Sequence, residues 1–90
     1  MSQPSVLLVE DNPDTVEFLS KRLRDAGYEV LVARNGADAL RVATQELPSA
    51  IVMDINLPQM NGDDVVRRLR EQAGTKDLPV IFVTAETEHR

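Results

Sequence analysis

Ninety residues, 42% apolar and 28% charged, have the composition of one small globular domain. A chain of this length buries roughly 60–65% of the surface that its unfolded form exposes, so its stability should be modest. It holds no run of about 18 apolar residues for a membrane span, and "MSQPSVLLVE" lacks the basic start and long apolar stretch of a secretion signal. The absence of cysteine removes disulfides and thiolate metal sites and makes a reducing cytoplasm the expected compartment. The net charge of −5 argues against a nucleic-acid surface, which needs clustered positive charge.

Four short β-branched runs alternate with helical patterns, the signature of a parallel α/β sheet. The first run, Val6 to Val9, is apolar on both faces, as a central parallel strand should be. In "DNPD", Asn12 suits a helix N-cap and Pro13 the first helical position. Val16, Leu19 and Leu23 then recur at helical spacing, and Gly27 supplies a left-handed stop. Tyr28 to Ala33 form the second strand, in which Glu29 suggests an edge. A second helix runs from about Gly36 to Glu46, with Ala39, Leu40 and Ala43 on its inner face, and Leu47-Pro48 ends it. The strand Ala50 to Asp54 follows. After "INLPQMNG", a third helix carries Val65, Val66 and Leu69 inward and stops near Gly74. Leu78-Pro79 leads into a fourth strand, Val80 to Val83, and "TAETEHR" reads as a strand end and the first turn of another helix. Right-handed crossovers favour the strand order 2-1-3-4, with helix 1 on one face and helices 2 and 3 on the other. Strands 1 and 3 then flank the topological switch point, where ligands of open α/β sheets sit.

Glu10 and Asp11 end strand 1, and Asp54 ends strand 3, so this order brings three carboxylates to one edge of the sheet. Like charges this close either protonate or recruit a cation. Oxygen ligands with no His or Cys nearby favour Mg²⁺ or Mn²⁺. Thr84 ends strand 4 beside strand 3, and its hydroxyl could reach the same crevice. A carboxylate, a divalent cation and a hydroxyl together suggest phosphoryl transfer onto Asp54. Taken singly, each of these residues has a plainer explanation; Asp11, for example, could simply start helix 1. Their convergence at one end of adjacent strands favours a site.

"LLVEDNPD", "IVMDINLPQMNG" and "PVIFVTA", in this order and spacing, resemble the receiver domain of two-component response regulators. The resemblance covers nearly the whole chain and implies a flavodoxin-like α/β fold. It implies that Asp54 is the phosphoacceptor, taking its phosphoryl group from a histidine kinase or a histidine phosphotransfer protein. It makes Glu10 and Asp11 the acidic pair that holds Mg²⁺ together with Asp54, with the backbone carbonyl of Asn56 as a further ligand. Thr84 becomes the switch hydroxyl and the Ala85 amide a donor to the phosphoryl group, while Pro58 and Gly62 fit the tight loop after the acceptor. Such a domain is a signalling module that assists its own phosphotransfer and dephosphorylation, rather than an enzyme turning over a separate substrate. It works by shifting a population between two surface arrangements.

The family pattern also carries a fifth strand with a terminal lysine and an aromatic switch residue, and a fifth helix. Lys21 and Lys76 do not stand where that lysine belongs. The expectation is therefore a single domain over 1–90, a receiver truncated at its carboxyl end, with strand 4 offering an open edge for self-association. The alternative is a pseudo-receiver that serves only as a protein-interaction module. A dehalogenase-type phosphatase would need a second aspartate where Asn56 stands. Arg67, Arg68 and Arg70 read as the solvated face of helix 3, and Lys21, Arg22 and Arg24 as surface charge, with Glu17 and Lys21 as an i,i+4 pair.

Overall fold

The structure, a computed structural model, describes residues 3–54 and 62–83. Its elements are β1 (Ser5–Val9), α1 (Pro13–Asp25), β2 (Glu29–Ala33), α2 (Gly36–Glu46), β3 (Ala50–Asp54), α3 (Gly62–Arg70) and β4 (Val80–Val83). The four strands pair in parallel in the order β2-β1-β3-β4, as the crossover argument requires. Val6, Leu7, Leu8 and Val9 are all buried, which accounts for the unbroken apolar run: β1 lies between two strands and is covered on both faces.

Residues of one sheet face, Leu7, Val9, Ala33, Ile51 and Met53, form a single core with Ala39 and Ala43 of α2 and Val65 and Leu69 of α3. Burying each Val, Leu, Ile or Met among them stabilises by roughly 1.5–3 kcal/mol. The two alanines let α2 lie close to the sheet. Right-handed crossovers place α1 on the opposite face, where it runs against β2. Val66, expected inward, is only half-buried, because the inner stripe of α3 is Val65 and Leu69, one turn apart.

The helix ends are read from their capping groups. Asn12 Oδ1 accepts from the amides of Asp14 at 2.9 Å and Thr15 at 3.3 Å, and Pro13 follows at the first helical position. At the other end of α1 the Tyr28 amide donates to the Leu23 carbonyl, so Tyr28 completes the helix cap and β2 begins one residue later than expected. Gly27 takes the left-handed conformation there, with φ of 102°. Asn35 caps α2 through Asp38, a cap not anticipated from the sequence. Lys21 pairs with Asp25 rather than Glu17: its single ammonium has an acid one turn away on either side and takes the carboxyl-terminal one.

Helix α3 ends at Arg70, short of Gly74. Arg70 is exposed as expected, yet its guanidinium also reaches forward along the chain, with Nη1 2.7 Å from the Leu78 carbonyl, 3.0 Å from that of Lys76 and 3.4 Å from that of Thr75. The buried Thr75 hydroxyl donates to the Leu69 carbonyl. The amides of Glu71 and Gln72 close the last turn on the Arg68 and Leu69 carbonyls, and the Arg70 and Thr75 side chains then tie down the segment that leads into β4.

Two stability effects follow. Replacing Arg70 with Met leaves three carbonyls without their shared cation and should cost about 1 kcal/mol in urea unfolding. Leu47 ends α2 with φ of 48° although it is largely exposed, so Leu47→Asn should gain roughly 0.5–1 kcal/mol by the same assay.

Candidate functional site

The parallel register sets the site. Val9 stands opposite Met53, so Glu10 and Asp54, each the next residue along, meet at the carboxyl ends of β1 and β3. The Glu10 amide donates to the Ala33 carbonyl at 3.0 Å, which carries the pairing of β1 with β2 one residue further. Glu10, Asp11 and Asp54 each present an oxygen within 4.8 Å of the others. Glu10 is 2% and Asp54 6% exposed, whereas Asp11 stands in solvent. The three carboxylates expected to converge therefore do so.

Asn12 serves the site as well as the helix. While its side chain caps α1, its backbone amide donates to Glu10 Oε2 at 3.0 Å. The sequence pattern for an N-cap points to the first role and is silent on the second. Among the described residues, no hydrogen-bond donor meets the buried Glu10 Oε1. Burial pushes the Glu10 carboxyl above its ordinary value of 4.5, and the Asn12 amide opposes that push. The Asp54 charge, a hydrogen bond to Asp54 open only to protonated Glu10, and the Asp11 charge push it further up.

A buried carboxylate oxygen without a donor, set against a second carboxylate, has two ways to be satisfied: a proton or a cation. The set is all-oxygen and acidic, with Asp11 at its exposed margin. It fits a hard divalent ion such as Mg²⁺ or Mn²⁺, held by Glu10, Asp11 and Asp54 with solvent completing the shell.

Asn56, Pro58, Thr84 and Ala85 lie outside the described residues. The last described residue of β4, Val83, stands opposite Asp54, so β4 leaves the sheet beside the acidic cluster. Gly62, expected as a loop glycine, instead opens α3. A Cβ there would meet the ring of Phe82 on β4. Phe82 was not singled out in the sequence, and no spacing rule marks it: only the packing of α3 across β4 brings its ring to Gly62. On α1, Phe18 is 59% exposed, and the Arg22 guanidinium lies over its ring at 5.3 Å, among Asp14, Glu17, Lys21 and Asp25.

A sign follows for the dependence of stability on pH. The folded chain holds the Glu10 proton more tightly than the unfolded chain, so this group's contribution is fully present below pH 4.5 and is lost as pH rises through the raised folded value. In metal-free buffer, urea midpoints measured from pH 4 to 8 should show Glu10→Gln gaining on the parent chain as pH rises. Added MgCl₂ should stabilise the parent more than the variant.

Residues 6–90 match the family described as "Response regulator receiver domain". The chain is 44% identical to the transcriptional regulatory protein PrrA of Mycobacterium tuberculosis over 97% of its own length and 36% of that protein. It is 39% identical to protein PilH of Pseudomonas aeruginosa over 92% of its own length and 69% of that protein. Thus it spans little more than a third of PrrA and about two thirds of PilH. Among solved structures, the receiver domain of a sensor histidine kinase from Pseudomonas aeruginosa PAO1, with a magnesium ion coordinated in its active-site cleft, superposes with a TM-score of 0.87 at 35% identity. That match covers 99% of this chain and 72% of the other. With the strand order β2-β1-β3-β4, three crossover helices and the acidic cluster at the switch point, this flavodoxin-like chain belongs to the response regulator receiver domain family of two-component signalling.

Proposed function

We propose that the chain accepts a phosphoryl group on Asp54 from a phosphohistidine of a histidine kinase or histidine phosphotransfer protein, with Mg²⁺ at the acidic cluster. The observation that carries this reading is the buried, donorless Glu10 Oε1 beside Asp54. A receiver with an idle pocket would gain stability by replacing such a carboxylate with an apolar side chain; retaining it makes sense where a cation binds. The magnesium-bearing receiver structure, 35% identical, supports the same assignment.

In this reading a carboxylate oxygen of Asp54 attacks phosphorus, the bond from phosphorus to the donor's imidazole nitrogen breaks, and that nitrogen keeps the electron pair. The product is an aspartyl phosphate. The metal ion supplies neutralisation of the charge on the phosphoryl oxygens. Glu10 and Asp11 supply the negative oxygens that hold the ion, and the Asn12 amide keeps Glu10 turned toward Asp54. The packing that buries Asp54 limits water around the acyl phosphate. The Thr84 hydroxyl and the Ala85 amide are assigned as donors to the bound phosphoryl group, and the Asn56 carbonyl as a further metal ligand. The chain signals by holding the phosphoryl group and releasing it with its own residues, rather than by turning over a separate substrate. We place this exchange in the cytoplasm; no described helix is long and apolar enough to cross a membrane.

Intact-mass spectrometry after incubation with acetyl phosphate tests the reading, with and without Mg²⁺, beside Asp54→Asn. Circular dichroism confirms that both chains are folded. One phosphoryl adduct that needs Mg²⁺ and is absent from the variant is the expected result. No adduct on a folded chain would overturn it and leave a pseudo-receiver that acts through binding alone. Sedimentation of the same samples tests self-association through β4, which among the described residues pairs only with β3.

A further inference from the structure

Glu10 is fixed at its main chain by β2, since its amide donates to the Ala33 carbonyl at 3.0 Å. The carboxylate is aimed separately. Among the described residues, Oε2 accepts from the Asn12 amide at 3.0 Å, while Oε1 meets no donor. The direction of that one N–H therefore sets which way the carboxylate turns. Asn12 is exposed, so core packing does not hold its peptide plane in place. Hydrogen bonds hold it instead. Oδ1 accepts from the Asp14 and Thr15 amides at 2.9 and 3.3 Å, and the Asn12 carbonyl accepts from the Val16 amide at 2.9 Å.

One residue thus joins the first turn of α1 to the acidic cluster. Asn35 offers the comparison. Its Oδ1 caps α2 through the Asp38 amide at 2.8 Å, and among the described residues its own amide bonds to no carboxylate. Capping alone asks only for a side-chain oxygen at that position. The bond to Glu10 asks for more, because an N–H···O bond weakens steeply as its angle closes. Glu10 is buried, so a misaimed donor would leave its second oxygen unsatisfied as well.

We propose that the side chain of Asn12 is a positioning group for the cation site: by gripping the first turn of α1, Oδ1 fixes the plane of residue 12, aims its N–H at Glu10 Oε2 and leaves Oε1 for the ion. Any residue but proline can make the bond to Glu10; the side chain adds its aim. The inference rests on the cation that the acceptor reading places at the cluster, and it does not need the phosphoryl transfer itself. Coupling of this kind is reciprocal. Where the cap raises affinity for the ion, the ion tightens the cap by the same factor, so the start of α1 senses whether the cluster is filled. A cap serving the helix alone carries no such link.

The test compares the parent chain with Asn12→Ala, Asn12→Ser and Asn35→Ala. Three quantities are read: the Mg²⁺ dissociation constant by calorimetry, the melting temperature, and amide hydrogen exchange at each residue with and without saturating Mg²⁺. Asn12→Ala should weaken Mg²⁺ binding on the order of fivefold, the low end for coupled sites. Asn12→Ser, which restores an uncharged capping oxygen, should recover most of that loss. Asn35→Ala loses the corresponding cap of α2 and should lower the melting temperature while keeping the parent's Mg²⁺ constant. In the parent, Mg²⁺ should slow exchange of the Asp14 and Thr15 amides, and in Asn12→Ala it should not. A Mg²⁺ constant in Asn12→Ala equal to the parent's, with only the melting temperature moving, would overturn the proposal and leave Asn12 a plain helix cap. If Asn12→Ala fails to fold, the parent's exchange decides: Asp14 and Thr15 amides indifferent to Mg²⁺ end the positioning role. A chain that binds Mg²⁺ but forms no phosphoryl adduct ends the acceptor reading and leaves the Mg²⁺ constants to decide this one. A chain that binds no Mg²⁺ ends both.

Discussion

The apposition of Glu10 and Asp54 is the constraint on which the rest of the site depends. Two carboxylates are brought together and largely closed off from water because β1 and β3 pair in parallel with Val9 opposite Met53. Slipping that register by one residue would turn the Leu7, Val9, Ile51 and Met53 core toward the wrong face. The repulsion at the strand ends is therefore held in place by hydrophobic burial a few ångströms away. The core cannot relax the site without giving up its own packing. The Asn12 amide eases one oxygen of Glu10, and the other meets no donor among the described residues. Stability is spent at one edge of a small domain, and an acidic cluster that fits a divalent cation is the return.

This division also explains the different finishes at the two ends of the sheet. At the amino ends of the strands, turns and loops close with backbone bonds, such as Ser49 to the Ser5 carbonyl and Ile51 to that of Pro79. The Arg70 guanidinium gathers three further carbonyls before β4. That end is fastened through neutral main-chain groups and one cation. The carboxyl end gathers acids instead.

Much of this was legible in the sequence because it depends on local rules. The doubly apolar run at Val6 to Val9 marks a central strand, Asn12-Pro13 marks a helix start, and handed crossovers then leave little choice of strand order. Once the order is set, Glu10, Asp11 and Asp54 must converge. What escaped depends on contacts between distant segments. Tyr28 serves the helix cap instead of the strand because its amide finds the Leu23 carbonyl. Arg70 looks like any surface arginine until the following loop turns back beneath it. Gly62 reads as a turn residue, yet its reason is the ring of Phe82, twenty positions further along the chain. No periodicity or capping pattern carries information of that kind.

The bond from Asn12 to Glu10 has a consequence for how this domain can diverge. The donor is a main-chain N–H, which nineteen of the twenty amino acids possess. Residue 12 could therefore drift among Asn, Asp and Ser under the demands of helix capping while the grip on Glu10 persisted. Proline alone would delete the donor outright. Here an element of the acidic centre is encoded by the path of the backbone, out of reach of most side-chain substitutions. A lineage could recolour the surface around the pocket for new partners and still inherit Glu10 aimed at Asp54.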